Sequence, residues 1–412
     1  MSMEKTDFFE KARKILEKGY VCDNCLGRQF GQLLSGLENR ERGCSIRDFF
    51  ALLMETGEKI NVDQSNFLSY HFRFRGMKGE RGKCTVCGNV FEELDLFVKK
   101  AKEKLKGIDF NSFLVGTKLS RELTGKEEEL WENVGIEWCE PLKSEINRLV
   151  GKKLEKETGK TVDFKNPEIL IVLDLGKKDV KIEINSLYIY GEYNKLIRTI
   201  PQTRWPSGKY KNSIEQIIAK PVLKQTKGKG SKFHGAGRED IDARCLAWRP
   251  FVLEITEPRR RRVNLKEIRN AVKKTKKVEV RNLKLVGSSL VEKVKEIRPD
   301  KTYKAIVVTE KEVGKELEKL SLLKGKRIYQ ETPNRVLHRR YDKLRKRFVK
   351  DVKWKRLGKK RFELIVRAEA GTYIKELVTG DKGRTYPSVS EILGTKASVK
   401  ELDVVKIHHK KI

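Results

Sequence analysis

Two Cys-x-x-Cys pairs constrain the fold of this chain more than any other feature of its sequence. They are Cys22 with Cys25 and Cys84 with Cys87. Each such turn can direct two thiolates at one metal ion, and two turns complete a tetrahedral four-cysteine site. The spacing therefore predicts a structural zinc site that staples a small module over residues 1–90. Two unrelated turns, or a redox-active pair, are the alternatives.

The remaining cysteines do not extend this site. Cys44, Cys139 and Cys245 stand alone and are predicted to be buried, small apolar residues. A zinc ion held by four cysteines keeps no position open for water, so we expect no catalytic role for it. The N-terminal sequence MSMEKTDFFEKARK has no hydrophobic segment of the signal-peptide kind, which argues against export and against a disulfide framework.

The net charge restricts the partners of the chain. Its 412 residues carry 92 Lys and Arg against 58 Asp and Glu, a formal charge of +34. The cations run through periodic segments as well as loops, which indicates folded domains with basic faces and favours a polyanion as partner. The charge-rich surface of a thermophile is the alternative, although it would not explain the imbalance of sign. No stretch of about 18 apolar residues occurs, so we expect no membrane span.

Hydrophobic periodicity predicts a mixture of helices and strands. Helical patterns occur in DFFEKARKILEK, SIRDFFALLMETG, FEELDLFVKKAKEKL, PLKSEINRLVGKKLEKETG and NLKEIRNAVKK. Strand patterns occur in PEILIVLDL, KKDVKIEINSLYIYGEY, RPFVLEI, VEVRNLKLV, KTYKAIVVTE and RFELIVRAEA. The segment IPQTRWPSGKYKNS is interpreted as a linker, and KQTKGKGSKFHGAG as a flexible cationic loop suited to RNA phosphates. That loop lacks the residue order of a nucleotide-binding loop.

An acidic turn precedes a predicted core strand in GAGREDIDARCLAWRPFVLEI, residues 235–255. Its carboxylates are Glu239, Asp240 and Asp242, and a solvated turn is the ordinary fate of Asp near Gly. The functional alternative is a nucleophilic site. Tyr303 lies in a predicted strand and Lys375 follows a strand and turn, so a carboxylate, a tyrosine and a cation come from three separate segments.

Several ordered motifs resemble an archaeal tRNA pseudouridine synthase. They are GREDIDAR with RPFVLEI, TPNRVLHRR, RAEAGTYIKELVTGDKGRTYPS, IPQTRW and INRLVGKKL. The chain is similar, over essentially its whole length, to the family that joins a zinc-binding N-terminal region and a THUMP RNA-binding domain to a pseudouridine synthase catalytic domain. The resemblance implies an α+β fold. It consists of a zinc module at 1–90, an α/β THUMP-like domain at 91–205 and a mixed-sheet catalytic domain at 206–412.

The resemblance also implies which residues do the chemistry. The essential aspartate of the family falls on Asp240, at the end of a G-R-x-D motif, and Asp242 is its competitor. The active-site tyrosine falls on Tyr303. Lys375 supplies the basic partner of the aspartate, where several sister families have Arg, so a point charge replaces a bidentate group.

The rest of the implied pocket holds the substrate. Tyr373 and Ile374 match the motif that lines the uracil pocket, together with Tyr303, and Arg238 shapes the turn beside the aspartate. TPNRVLHRRYDKLRKR is either a solvated basic helix or, in this context, an RNA contact.

The implied reaction is the isomerisation of uridine to pseudouridine in the T-arm of tRNA, at positions 54 and 55. It needs no organic cofactor, and the target base has to be flipped out of the folded arm. We expect a cytoplasmic monomer with a structural Zn²⁺ ion and no membrane partner. The alternatives are a THUMP-containing tRNA-binding protein of another class (a methyltransferase, a thiolation enzyme or a non-catalytic RNA binder) and, more remotely, a metal-dependent nuclease.

Overall fold

The chain forms two compact units in a computed structural model that describes residues 8–73 and 76–409. The units are Met1–Asn185 and Ser186–Ile412. Both contain helices and a mixed sheet, which confirms the predicted α+β class. Within the described ranges, no helix combines the length and the apolar character that crossing a membrane requires.

The first unit packs helices against a four-stranded sheet. Its described α-helices are α1 Phe8–Glu17, α2 Asp23–Gly27, α3 Asn39–Glu55, α4 Leu94–Leu105, α5 Arg121–Val134 and α6 Leu142–Thr158. Its described strands are β1 Ser112–Lys118, β2 Thr161–Val162, β3 Ile169–Asp174 and β4 Asp179–Ile184. The strand order is β2-β1-β3-β4, with β1 parallel to both neighbours and β4 antiparallel to β3.

Helix α6 shows how the sequence pattern produces this packing. Leu142, Ile146, Val150 and Leu154 recur every four residues and are all fully buried, which makes one apolar stripe along the helix. The helix ends at Gly159, whose φ of +66° is a left-handed conformation that favours glycine. The stripe belongs to one continuous core that also includes residues of α1 to α4 and the cysteine turns. The metal module and the sheet therefore share a core.

The second unit is built on a ten-stranded sheet. Its strands are β5 Leu187–Lys195, β6 Gly230–Gly235, β7 Arg244–Thr256, β8 Val278–Val286, β9 Asp300–Thr309, β10 Lys326–Gln330, β11 Arg345–Gly358, β12 Arg361–Ala368, β13 Thr385–Tyr386 and β14 Ala397–His408. Its described α-helices are α7 Ile214–Thr226, α8 Leu265–Lys273, α9 Ser289–Glu296, α10 Ile374–Thr379 and α11 Val389–Ile392. The order is β13-β10-β11-β12-β9-β14-β7-β5-β8, and β6 pairs with β7.

Strand β7 brings the functional segments of this sheet together. It begins directly after the acidic turn, and its first residues pair in parallel with β14, with Arg244 opposite Asp403. Farther along, the same strand pairs antiparallel with β5 and β6. On the other side of β14 lies β9, which carries Tyr303. The acidic turn and Tyr303 therefore meet near the middle of the sheet.

Two segments that were interpreted as a loop and a linker differ from those expectations in the structure. The predicted flexible loop KQTKGKGSKFHGAG contains the end of α7 and strand β6, because β7 offers a partner and Phe233 stacks on Phe251 with ring centroids 5.0 Å apart. The predicted linker IPQTRWPSGKYKNS lies inside the second unit. The segment TPNRVLHRRYDKLRKR, for which a solvated basic helix was the alternative to an RNA contact, forms a short 3₁₀ helix over Asn334–Arg339, followed by the start of β11.

The division into modules at 1–90, 91–205 and 206–412 stays a prediction. One element differs from it, because β5, which that division assigned to the RNA-binding domain, pairs with β7 and β8 in the sheet of the second unit.

Candidate active site

The three carboxylates of the acidic turn lie in three different environments. The side chain of Glu239 is 1% exposed, that of Asp240 is 34% exposed and that of Asp242 is 62% exposed. Glu239 accepts a hydrogen bond from the Tyr193 hydroxyl at 3.1 Å and pairs with the Arg249 Nε atom at 3.1 Å. Tyr193 and Arg249 are both fully buried, so Glu239 anchors the turn to the interior of the unit. The neighbouring Asp240 side chain remains accessible to solvent.

A buried lysine holds the backbone of the turn. The Lys195 ammonium donates to the carbonyl oxygens of Asp240 at 3.1 Å, Ile241 at 3.0 Å and Ile200 at 3.1 Å. Burial lowers the pKa of Lys195, and the nearby carboxylates of the turn oppose that effect. Gln202, from the segment that was predicted to be a linker, donates to the Gly237 carbonyl oxygen at 3.0 Å. These bonds fix the position from which Asp240 projects.

Gly237 allows the turn to approach two cations closely. Its φ is +77°, and a Cβ atom placed there would lie 3.2 Å from the Lys301 Nζ atom and 3.3 Å from the Arg249 Nη1 atom. A larger residue would therefore meet both a strained backbone and two crowded side chains. Glycine at this position therefore leaves room for the Lys301 and Arg249 side chains against the backbone of the turn.

The Asp240 carboxylate is held by an arginine from another segment. Arg335, in the 3₁₀ helix, donates from Nη1 to Oδ1 at 3.3 Å and from Nη2 to Oδ2 at 3.1 Å. Its Nε atom donates to the buried Glu376 carboxylate at 2.7 Å. Arg335 is thus fixed between two carboxylates, and their contacts raise its pKa although its own burial opposes this.

Lys375 lies beside both aspartates but bonds to only one of them. Its Nζ atom donates to the Asp242 oxygens at 2.6 and 2.8 Å, whereas its distance to Asp240 Oδ2 is 3.7 Å. Although partial burial opposes it, the hydrogen bond and charge of Lys375 lower the pKa of Asp242. The bidentate partner that the sequence did not find for Asp240 is Arg335, and Lys375 mainly serves Asp242.

A cavity of about 390 Å³ opens at the Asp240 carboxylate. Its lining contains more cations than carboxylates, which suits an anionic ligand. The residues around it are Arg238, Glu239, Asp240, Ala243, Arg249, Lys301, Tyr303, Arg335, Val336, Arg340, Gly371, Thr372, Tyr373, Ile374, Leu402 and Val404.

Two residues of β9 face this cavity from the same side of the strand, as alternate strand residues do. Burial raises the pKa of Tyr303 to about 12, so its hydroxyl is protonated near neutral pH. Burial, reinforced by the charge of Arg249, lowers the pKa of Lys301 to about 8. The wall therefore offers a neutral phenol ring beside a buried amine.

Tyr373 and Ile374 form another part of the wall. The Tyr373 N–H donates to Gln330 Oε1, and Gln330 Nε2 donates to the Tyr373 carbonyl oxygen, both at 2.9 Å. Arg340 donates to the Tyr373 hydroxyl at 2.9 Å. Ile374 is buried at the start of α10. Tyr373 is thus held by hydrogen bonds to its backbone and to its hydroxyl.

The structure brings together the site residues that were predicted from the sequence. Arg238, Asp240, Tyr303, Tyr373 and Ile374 line one cavity, and Lys375 reaches Asp240 and Asp242. Sequence reasoning missed residues that hold or line the site, which are Lys195, Gln202, Glu239 in its anchoring role, Arg249, Lys301, Arg335, Arg340 and Glu376.

Some of these residues carried a signal in the sequence. Arg249 interrupts an apolar run, which is where a buried cation with a partner is expected. Lys301 precedes Tyr303 by two residues and so shares its strand face. Arg335 lies inside the TPNRVLHRR motif, which contains several basic residues. The sequence does not show which of them binds the Asp240 carboxylate.

The four paired cysteines form a separate cluster in the first unit. Their Sγ atoms all lie within 4.8 Å of one another, and the Cys22 and Cys87 sulfurs are 3.7 Å apart. A tetrahedron with Zn–S bonds of about 2.3 Å has sulfurs about 3.8 Å apart, so the cluster fits that ion. The backbone N–H of Cys22 also donates to the Cys84 sulfur at 3.3 Å. The cluster therefore has the geometry of a four-cysteine metal site.

The isolated cysteines behave largely as predicted. Cys139 and Cys245 are buried, whereas Cys44 is only partly buried and faces Asp23 at 3.4 Å.

Two family models match this chain in sequence. Residues 188–408 match the family model described as Pus10, C-terminal, and residues 97–174 match the one described as Pus10 THUMP domain, archaeal.

Curated relatives named tRNA pseudouridine synthase Pus10 match nearly the full chain. The protein from Pyrococcus furiosus is 41% identical, with 97% of this chain and 97% of that protein covered. The protein from Methanothrix thermoacetophila is 39% identical, with 98% and 95% covered. Among solved structures, a chain of a Cbf5-Nop10-Gar1 complex is 18% identical with a TM-score of 0.31, over 52% of this chain and 47% of that chain.

Proposed function

This chain belongs to the Pus10 family, and from that membership we propose that it is a tRNA pseudouridine synthase in which Asp240 is the nucleophile. The observation that carries the assignment of Asp240 is its position. Its carboxylate lines a cavity of about 390 Å³, is gripped bidentately by Arg335 and lies in the same lining as Tyr303. A cavity of this size lies within the range that holds small ligands, and a single nucleoside fits that description.

The substrate uridine reaches this cavity only when it is flipped out of its stack. The ring of Tyr303 then stacks on the uracil, and the ring of Tyr373 and the side chain of Ile374 form another part of the wall around the base. Arg238 and Arg340 add positive charge to the lining, where the phosphates of the flipped nucleotide would be attracted.

The reaction moves one glycosidic bond from nitrogen to carbon. The Asp240 carboxylate attacks the ribose C1′ atom, the N1–C1′ bond breaks, and its electron pair stays on the uracil. After the base turns, C5 attacks C1′ and releases the carboxylate. The C5 proton then leaves and N1 takes up a proton, so no atom is gained or lost. Attack of the same carboxylate on the base, or its stabilisation of a cleaved sugar, are alternative routes that use the same residue.

Each neighbour of Asp240 has a part in keeping it reactive. Arg335 holds the carboxylate in one orientation, which is what a nucleophile of this type requires. Lys375 holds Asp242 and adds a second positive charge 3.7 Å from Asp240. We assign Tyr303 the help with the late proton step at C5. Because its pKa is raised to about 12, its hydroxyl stays protonated and donates a hydrogen bond to the turned base, while the C5 proton leaves to water.

The finer parts of the proposal concern the substrate, the metal and the state of the protein. We propose that the uridines are those of the T-arm, at positions 54 and 55, which the family resemblance supports. The four-cysteine cluster holds a structural Zn²⁺ ion and takes no part in the chemistry. The protein acts as a cytoplasmic monomer, in modules at 1–90, 91–205 and 206–412.

One assay tests the function and the nucleophile together. Wild-type protein is incubated with an unmodified tRNA transcript, without cofactor and with EDTA, and pseudouridine is mapped by mass spectrometry. We expect it at positions 54 and 55, and transcripts with cytidine at either position show which site is used. Absence of pseudouridine would refute the proposed reaction and favour a tRNA-binding protein of another class, which is a methyltransferase, a thiolation enzyme or a non-catalytic RNA binder.

Asp240→Asn and Asp242→Asn form a matched pair for the nucleophile. Both remove one charge from the same turn and keep the shape of the side chain. Asp240→Asn should abolish pseudouridine formation with tRNA affinity nearly unchanged, whereas Asp242→Asn should retain measurable activity. The opposite result would move the nucleophile to Asp242. Tyr303→Phe keeps the ring and should slow turnover more than it weakens binding.

A further inference from the structure

An exposed aromatic surface lies on strands β10, β11 and β13. In the sheet register, Tyr329 stands opposite Lys346 on one side and Tyr386 on the other, and Phe348 stands opposite Arg327. Residues opposite each other, and those two positions along a strand, point to the same face. We call these five residues the aromatic platform. Its rings and cations form two adjacent rows across three strands.

The platform occupies the solvated face of this part of the sheet. Tyr329 is 39% exposed, Phe348 is 37% exposed and Tyr386 is 59% exposed. The opposite face buries Ile328 and Val349 completely. An antiparallel sheet with one solvated face normally has polar residues there. Three neighbouring aromatic rings on that face therefore indicate a binding surface.

The cations of the platform favour RNA over a protein partner. Lys346 Nζ lies 5.9 Å from the centroid of the Tyr329 ring, and Arg327 is exposed beside Phe348. The core of a protein–protein interface is usually depleted of lysine. Surfaces that bind single-stranded nucleic acid combine aromatic rings for the bases with cations for the phosphates.

The platform lies on strands that also support the candidate active site with their other face. Gln330, the neighbour of Tyr329 on β10, makes both hydrogen bonds to the backbone of Tyr373. Arg345, the neighbour of Lys346 on β11, has its Cζ atom 5.8 Å from the centre of the Tyr373 ring. The same two strands therefore present the platform on one face and support the cavity wall with the other.

We propose that the aromatic platform stacks unpaired bases of the RNA whose target uridine occupies the cavity, while Arg327 and Lys346 contact the adjoining phosphates. The proposal rests on the proposed function in one respect, which is that the RNA is the substrate tRNA. It assigns Tyr329 and Phe348 to binding and gives them no part in the reaction. The nucleotides involved are those left unpaired when the target base is flipped.

Binding of full-length protein to a labelled oligouridylate of about ten nucleotides tests the proposal. The double variant Tyr329→Ala/Phe348→Ala should bind the oligouridylate about ten-fold more weakly or worse, because a base stacked on a ring loses its partner. Its affinity for an RNA duplex of the same length should not change. Tyr329→Phe should bind as the wild type does. Leu357→Ala, which alters another exposed apolar residue of β11, is the matched control.

The salt dependence separates the rings from the cations. The slope of log K against log salt should be unchanged in the aromatic double variant and smaller in Arg327→Ala/Lys346→Ala, because only the second variant removes phosphate contacts. Thermal melting checks that each variant is folded. Wild-type affinity for the oligouridylate in the aromatic double variant would overturn the proposal, and so would an equal loss on the duplex.

The pseudouridine assay on the same preparations keeps the two proposals apart. Without pseudouridine from the wild type, a loss of oligouridylate binding in the double variant still supports the platform, and only the proposed reaction fails. With pseudouridine formed and oligouridylate binding unchanged in the double variant, only the platform fails.

Discussion

Replacing Arg335 by methionine should separate the positioning of Asp240 from the stability of the fold. In the native structure the guanidinium bridges Asp240, at 3.1 and 3.3 Å, and Glu376, at 2.7 Å. Met has a similar length and removes both contacts. Asp240 then turns more freely, and Glu376, whose side chain is 6% exposed, is left as a buried carboxylate without its cation.

The loss of stability follows from the contact of Arg335 with Glu376, and the loss of rate follows from its contact with Asp240. Removal of one partner from a fully buried ion pair costs about 3–5 kcal/mol. The Arg335 side chain is 40% exposed, so we expect a smaller loss, about 2 kcal/mol. For a unit of this size that corresponds to a melting temperature lower by roughly 4–8 °C. A reacting group that is misplaced by about 1 Å loses roughly 10²-fold in rate.

The assay compares three variants in single-turnover pseudouridine formation and in thermal melting. Arg335→Met should lose both rate and stability. Glu376→Gln should stay close to the wild type, because Arg335 still grips Asp240. The double variant Arg335→Met/Glu376→Gln should regain most of the lost stability, since no buried charge remains, while its rate stays low. If the rate recovers together with the stability, Arg335 serves only the fold and the positioning argument is refuted.

Three further predictions address the metal, the RNA and the pH dependence. Purified protein should contain about one equivalent of zinc by elemental analysis; Cys84→Ser should lose it and melt at a lower temperature, whereas Cys44→Ser should keep it, and unchanged melting without metal would contradict a structural role. Affinity for tRNA should fall steeply and linearly in log K against log salt, and a flat dependence would leave the +34 charge as a surface adaptation only. Although burial opposes it, the contacts of Arg244 and Arg198 lower the pKa of Asp403 below its ordinary value of 3.8, so this carboxylate contributes stability above that value that is lost as the pH falls through the lowered pKa. The urea midpoint should therefore drop as the pH falls below about 4, and a drop of the same size in Asp403→Asn would show that this ion pair is not its source.

The sequence predicted elements well where one face is buried by a simple repeat. The helical pattern of PLKSEINRLVGKKLEKETG aligns Leu142, Ile146, Leu149 and Leu154, and all of these except Leu149 are fully buried. The shift to Val150 follows from the drift of a helix with 3.6 residues per turn. The apolar run of β3 was likewise evident, because its alternate residues pack into one core.

Strand β11 shows why some strands were not predicted from the sequence. Its sequence RKRFVKDVKWKRLG has charged residues at most positions, and only Val349 and Val352 of this strand are buried. Such a segment becomes a strand because β10 and β12 pair with it on both sides, and a single sequence does not reveal those partners.

The candidate site divides in the same way. Asp240 was found through a local motif, and Tyr303 through a motif on a recognisable strand. Arg335 was not found as the partner of Asp240, because the two residues are 95 positions apart and meet only through the arrangement of the sheet. Buried Lys195 gave no signal either, since nothing local shows that a lysine at the end of β5 will bond to the carbonyl groups of a later turn.

The acidic turn of this basic chain is explained by the cations that meet it. Glu239 pairs with Arg249 of β7, Asp240 with Arg335 of the 3₁₀ helix, and Asp242 with Lys375 of α10. The exposure of the three carboxylates rises in that order. The first pair is inaccessible and fixes the turn, and the third is solvated, where ion pairs contribute little. Of the three pairs, only that of Asp240 with Arg335 combines a carboxylate in a fixed orientation with access to the cavity. Asp240 is therefore the residue whose loss should stop the reaction.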